Sequence, residues 1–369
     1  MKLEFKKDAL LNGINIVSKA IPSRTTMSIL ECILIDADAG EIKLTGNDME
    51  LGIETKVEGS ILERGKIALE AKLFYEIIRK LPDGDTPVTI TSDNRFNTVI
   101  ECENAVFNIQ GRDGEEFSYL PYIERDQHIS LTQFTLKEAI RQTIFSISPN
   151  DSNKMMAGEL LEVKDDFLKV VSLDGHRISI RKIELKESYE PRKVVVPGKT
   201  LQEISKILSG ETESEVTIYF TNNHIVFEFS NTVVVSRLIE GEYFRIDQML
   251  SNDYETKVRI NKKELLSCID RATLLVKEGD KKPIIINITD ESMQLKIQSQ
   301  IGSMNEEIMI TKDGKDLLIG FNPKFLIDAL RVIDDEEVSL YFMNAKAPCF
   351  IKDEEQSYIY LILPVNFNA

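Results

Sequence analysis

Residues 69–90 read LEAKLFYEIIRKLPDGDTPVTI, an amphipathic helical run that turns through Pro-Asp-Gly into a strand-like one. The order returns twice, as VPGKTLQEISKILSGETESEVTIYF over 196–220 and FNPKFLIDALRVIDDEEVSLYF over 321–342. Aligning Lys72, Lys199 and Lys324 gives separations of 127 and 125 residues and brings Glu76, Glu203 and Asp328 into register. A second helical run also recurs: FKKDALLNGINIVSKAI from Phe5, FTLKEAIRQTIFSIS from Phe134 and INKKELLSCIDRATLLV from Ile260, separated by 129 and 126. This period is far above the ~20–50 residues of solenoid repeats, so the chain reads as one domain written three times. The expected domains are residues 1–126, 127–250 and 251–369.

Between the helical runs lie short alternating stretches such as ILECILIDADAGEIKLTGNDMELGIETKV (29–57) and GELLEVKDDFLKVVSLDGHRISIRKI (158–183). They are rich in Val, Ile and Thr and are punctuated by Ala-Gly, Asp-Asp or Asp-Gly, the signature of antiparallel hairpins. Two helices per repeat are too few for βαβ crossovers, so the expected class is α+β, with sheets backing a pair of helices.

The 369 residues are 42% hydrophobic and 29% charged, with no apolar run long enough to span a membrane. MKLEFKKDALL lacks the apolar core of a signal peptide, which favours a cytoplasmic location. The four cysteines lie at least 70 residues apart, without CxxC spacing, and read as buried free thiols. His128, His176 and His224 form no metal-ligating pattern, so neither metal nor cofactor is expected.

Charge is distributed unevenly. The formal net charge is −16, which on its face argues against a polyanionic partner. Yet the six helical runs, counted to include Lys277, carry sixteen basic and seven acidic residues, a net of +9 that leaves −25 for the rest. Lys and Arg are good helix formers, but Glu is an equally good one, so propensity does not explain the bias. One basic helical face on an acidic protein would draw a polyanion to one place.

Two stretches resemble catalytic motifs. VVVPGKTLQEI runs a strand into Gly198-Lys199-Thr200, but a phosphate-binding loop needs a glycine where Lys193 stands. The other repeats read Ala71-Lys72-Leu73 and Pro323-Lys324-Phe325 there, which indicates a helix start. In LDGHRIS, Asp174, His176 and Arg177 could serve acid–base chemistry, although a hairpin turn accounts for Asp174-Gly175, and Asp48 of TGNDMEL occupies the matching place. No nucleophile or second carboxylate pair stands beside them.

Seven stretches in order, Arg24 with TTMSIL, LTGNDMEL, LEAKLFYEIIRKLP, SLDGHRIS, VPGKTLQEI, IGFNPKFLIDAL and YLILPV, resemble the bacterial DNA polymerase III β subunits, the sliding clamps. The resemblance covers the whole chain. It implies a head-to-tail homodimer, a closed ring of six domains whose helices surround duplex DNA without sequence preference, and no catalytic activity. The DNA-facing cations would be Arg24, Lys72, Arg79, Lys80, Arg141, Lys199, Lys206, Lys263 and Lys324. The chain-to-chain contact would set Phe107 and Ile109 against Leu274 and Leu275, although Asn104-Ala105-Val106 lacks basic residues for supporting ion pairs.

The resemblance also implies a pocket for short Gln- and Leu/Phe-containing motifs of the polymerase III α subunit, the clamp loader, other DNA polymerases and mismatch-repair proteins. From the central third it would take Met156, Leu173, Gly175, His176, Arg177, Ile178, Phe244 and Met249. From the last it would take Asn322, Phe325, Pro348, Leu361, Leu363, Pro364 and Val365. Phe244 stands where a proline is common and Gln248 where an arginine is expected, and extra residues end the chain in Asn368-Ala369. Two other readings remain: a repeat-built protein-binding scaffold without DNA, and a nucleotide-dependent enzyme, which the missing phosphate loop disfavours.

Overall fold

The structure is a computed structural model that describes residues 1–148, 152–276 and 282–367; Lys277, Asn368 and Ala369 fall outside the described residues. The described residues form six α-helices, two per third: α1 (Lys7–Val17), α2 (Ala71–Lys80), α3 (Gln133–Thr143), α4 (Gly198–Ile207), α5 (Lys262–Thr273) and α6 (Pro323–Val332). Helix α2 forms because Ala71, Phe74, Ile77 and Ile78 fall on one face and are buried there, while the Glu70 carboxylate accepts hydrogen bonds from the N–H groups of Lys72 and Leu73. The same face recurs as Leu201, Ile204 and Leu208 in the central third and as Leu326, Ala329 and Ile333 in the last. Helix α6 starts on an Asn322 cap with Pro323 in its first turn.

The first helix of each third corrects one sequence alignment. Phe134 does not match Phe5 and Ile260; it lies exposed inside α3, and Leu131 holds the matching place. The reason is the strand before each helix, whose buried residues alternate as Leu3 and Phe5, Ile129 and Leu131, and Val258 and Ile260. Separations become 126 and 129, and Leu10, Leu136 and Leu265, then Ile14, Ile140 and Ile269, coincide as buried helix residues. The first helical residue then ties down the end of the second helix or the chain beyond it. Lys7 Nζ donates to the Leu81 carbonyl at 2.6 Å, Lys262 Nζ donates to the Ile333 carbonyl at 2.6 Å, and Gln133 Oε1 accepts from the Ser209 N–H at 2.8 Å.

Every strand pairing is antiparallel among the described residues, and the sheets cross from one third to the next. A nine-stranded sheet joins strand Leu51–Val57 of the first third to Thr232–Arg237 of the central third, pairing Ile53 with Val234. A seven-stranded sheet joins Arg177–Pro197 to Tyr358–Ile362, pairing Ile178 with Leu361. Among the described residues the two remaining sheets end in Ala105–Gln110 and Ser303–Met309, each with one unpaired edge. New strands begin at His128 and Thr256.

Contacts divide the chain into two compact units, residues 1–134 with 202–238 and residues 135–201 with 239–369. The nine- and five-stranded sheets belong to the first unit, and the seven- and four-stranded sheets to the second. All four cysteines are buried and free.

Candidate functional site

The LDGHRIS segment lies in the second unit as a tight turn between strands Gly158–Leu173 and Arg177–Pro197. Asp174 Oδ1 accepts from the N–H groups of His176 (3.1 Å) and Arg177 (3.2 Å), and Gly175 has φ +82°, a left-handed conformation that glycine adopts freely. The turn presents His176 outward, its ring stacked on Phe325 of α6 with centroids 5.9 Å apart.

Arg177 is 7% exposed, and each of its three guanidinium nitrogens is engaged within the unit. Nε donates to Asp174 Oδ2 at 2.9 Å, Nη1 to Asp328 Oδ2 at 2.7 Å and Nη2 to the Phe145 carbonyl at 2.6 Å. The guanidinium also lies over the Phe325 ring, 4.5 Å from its centroid. Arg177 therefore works here as a buried clasp from the turn to α6, not as an open contact. Sequence reasoning missed Asp328, Phe145 and Asp174 as its partners.

The floor beside the turn is apolar. Leu173, Ile178 and Leu361 are buried in one cluster with Tyr341 and Phe350, and Met156 and Phe244 pack against it half-buried. The C-terminal segment forms a wall: the Leu363 N–H donates to the His176 carbonyl at 2.9 Å and the Val365 N–H to the Gly320 carbonyl at 2.9 Å. Leu363 stays exposed, with Pro364 and Val365 half-buried. Asn322 caps α6 through its side-chain oxygen, which accepts from the Lys324 N–H at 3.0 Å. Met249 is exposed at the end of a short 3-10 turn, Ile246–Met249, and Pro348 is half-buried before strand Cys349–Lys352; neither has a described contact with the stacked rings. The result is an apolar surface with one exposed imidazole, suited to anchoring side chains of an extended peptide.

The helix cations fall into two groups. Arg24, Lys72, Lys263 and Lys324 are exposed and have no ion pair among the described residues; Lys199 is exposed at the start of α4. Four others sit on carboxylates: Arg79 (2.7 Å) and Lys80 (3.5 Å) on Glu76, Lys206 on Glu203 (2.7 Å), and Arg141 on Glu138 (2.6 Å) and Asp334 (3.3 Å). Arg79 holds the Glu76 carboxyl below the usual range. The charge count thus overstates the free positive charge of the helices.

Of the four expected interface residues, Phe107 lies exposed on the edge strand Ala105–Gln110, with Ile109 half-buried on the same strand. Leu274 is 78% exposed just after α5, whereas Leu275 packs against the core of the last third. Beside α5 a groove of about 430 Å³ runs along the edge strand Ser303–Met309, lined by Lys263, Ser267, Ile308 and Met309 among others.

Three copies of one α+β domain joined through shared antiparallel sheets define a DNA-clamp architecture. Family profiles match in the same order: the N-terminal domain of the DNA polymerase III β subunit over residues 1–121, the central domain over 130–244 and the C-terminal domain over 247–366. The chain is 35% identical to the β sliding clamp of Staphylococcus epidermidis, with 99% of each chain covered. Among solved structures it resembles the DNA polymerase III β subunit of Eubacterium rectale (70% identity, TM-score 0.96) and the DNA polymerase sliding clamp of Bacillus subtilis (34%, TM-score 0.95), each with 100% of both chains covered. The chain belongs to the DNA polymerase III β-subunit family, the β sliding clamps, and is a non-catalytic processivity factor.

Proposed function

We propose that two copies close head to tail into a ring around duplex DNA and that each copy docks partner proteins at the cleft beside His176. The reading keeps the division into domains 1–126, 127–250 and 251–369. The observation that carries the DNA role is the repeat of one exposed cation at the start of the second helix of each third, Lys72, Lys199 and Lys324, in a chain of net charge −16. Cations at equivalent places in every repeat suit a polyanion bound without regard to sequence, because phosphate contacts carry charge but no base information. A ring retains DNA by topology, so weak contacts suffice and let it slide.

The test is retention on circular DNA. Replacing Arg24, Lys72, Lys263 and Lys324 with Glu is expected to shorten retention on every sequence alike, and parental binding should weaken as salt rises. Retention unchanged in the fourfold variant would sink the basic-face argument; a sequence-selective loss would contradict it as well.

Partners at the cleft are short Gln- and Leu/Phe-containing segments of the polymerase α subunit, the clamp loader, other DNA polymerases and mismatch-repair proteins. Deleting Leu363 to Ala369 removes the exposed wall beside His176. Truncated anchors commonly cost ~2 kcal/mol or more, so a fluorescein-labelled Gln-Leu-Ser-Leu-Phe peptide is expected to bind about thirtyfold more weakly. Equal affinity in deleted and intact chains would show that the cleft lies elsewhere. No helix among the described residues is long and apolar enough to cross a membrane, and the proposed place of action is the cytoplasm, with the chromosome.

A further inference from the structure

The aligned helices α2, α4 and α6 each carry an acid at one register position, Glu76, Glu203 and Asp328, and a base three residues later, Arg79, Lys206 and Arg331. In the first two the acid and base pair within the helix, both at 2.7 Å. The third breaks the pattern. Arg331 turns to Asp270 of α5 at 3.1 Å, and Asp328 reaches across to Arg177 at 2.7 Å. Arg177 is equally exceptional, since the matching residue of the first third is Leu51, itself buried. The two departures from the repeat meet each other, and they do so directly under the ring of Phe325, on which His176 stacks.

We infer that Asp328 is a positioning residue for the peptide cleft: it holds Arg177 against Phe325 and so fixes the His176–Phe325 wall before any partner arrives. The inference rests on the peptide-docking reading above. Its physical basis is the geometry of the fork. Nη1 is held by Asp328, Nε by Asp174 and Nη2 by the Phe145 carbonyl, and only Asp328 lies on the same helix as Phe325. Without it the guanidinium keeps its turn and backbone partners but loses its tie to α6, and the ring loses the group that sets its height against His176. The cleft would then have to be ordered by the incoming peptide, and binding would weaken by the cost of that ordering. The carboxylate itself need not touch the peptide.

The experiment measures binding of the labelled Gln-Leu-Ser-Leu-Phe peptide by anisotropy to the full-length protein, with thermal midpoint and oligomer mass recorded for every variant. Asp328→Asn is expected to bind about tenfold more weakly and Asp328→Glu, whose longer arm can take Arg331 as its counterparts take theirs, about threefold. Glu203→Gln and Glu76→Gln, the same carboxylates in the other repeats, should stay within about twofold of the parent. A general loss of helix stability would move all of these together, whereas a positioning role moves only position 328. Parental affinity in both position-328 variants, with binding lost in His176→Ala, overturns the inference and leaves the docking reading standing. If His176→Ala and the C-terminal deletion also bind like the parent, the docking reading itself fails. Should Asp328→Asn not fold, Asp328→Glu, which keeps a carboxylate at the position, decides by the same criterion.

Discussion

A chain carrying Leu274→Lys is expected to sediment as a folded monomer at concentrations where the parent is a dimer. Leu274 is 78% exposed in the single chain, a large apolar side chain at the end of α5 with no work to do there. The first and last thirds also each offer a strand edge unpaired among the described residues, Ala105–Gln110 and Ser303–Met309, and an open edge is a template for pairing with another chain. In the head-to-tail assembly proposed above, the two edges would meet at both joints, with Phe107 facing the Leu274 side. A lysine at 274 would bring an unpaired charge into that contact, at a cost that a weakly supported joint cannot offset. Leu275 is a poorer target because it packs against the core, so its replacement would confuse unfolding with dissociation. Phe107→Lys tests the same joint from the other side. Multi-angle light scattering gives the answer, and a dimer mass in both variants at nanomolar concentration would mean that the joint is elsewhere.

The second large effect is on stability at alkaline pH. Glu159 is fully buried in strand Gly158–Leu173, opposite Val196, and neither carboxyl oxygen has a hydrogen-bond partner among the described residues. The matching residues are Ile33, opposite Leu69, and Ile284, opposite Phe321, both fully buried. Thr143 of α3 is the hydroxyl beside it, but that hydroxyl donates to the Ala139 carbonyl at 2.7 Å. Tyr243, whose own acidity is reduced by burial and by Glu159, donates its hydroxyl to the Val171 carbonyl at 3.3 Å. Burial pushes the carboxyl from its usual 4.5 up to about 8, with only Thr143 pulling the other way.

The folded chain therefore keeps a proton that the unfolded chain releases above pH 4.5. Stability from this group is complete below that pH, declines as pH rises and levels off above about 8, where the loss reaches up to about 5 kcal/mol. Glu159→Leu is expected to abolish the slope, giving a variant little changed at pH 5 and several kcal/mol more stable at pH 9.5. Urea midpoints across that range check it. Curves that run parallel for variant and parent would show that the carboxyl does not titrate in this window.

Much of the fold could be read from the chain because two helices per repeat keep their apolar spacing. The alignment on Lys72, Lys199 and Lys324 holds along the second helices, where Phe74, Leu201 and Leu326, then Ile77, Ile204 and Ala329, then Leu81, Leu208 and Ile333 coincide as buried residues. It failed by three residues at the first helix of the central third because Phe134 resembles Phe5 in type, while the deciding evidence, the two-residue alternation of Ile129 and Leu131, spans only one short strand. The sharing of sheets between thirds was not legible, since a Val- and Ile-rich strand shows which face is buried but not which neighbour it will meet.

At the site, the turn of His176 was visible in Asp174-Gly175, and the apolar floor was visible as residue type. The burial of Arg177 was not. Its partners Phe145 and Asp328 lie 32 and 151 residues away, and nothing local announces them. One clue was present, in that an acid stands at the same place in all three second helices while an arginine at 177 has no counterpart in the first third. The pairing of Arg79 with Glu76 and of Lys206 with Glu203 was also readable from i, i+3 spacing, and it lowers the free positive charge below the raw count.

The shared sheets bear on how the protein responds to load. Strand Leu51–Val57 is laced to Thr232–Arg237, and Arg177–Pro197 to Tyr358–Ile362, by five residue pairs each. Pulling either seam apart along the strands must shear those backbone bonds together, whereas contacts between side chains alone can peel one at a time. One seam lies within the first compact unit and the other within the second, so each unit carries a stiff join of its own. Force applied across either seam is thus expected to be borne by all five residue pairs at once, until they give way together.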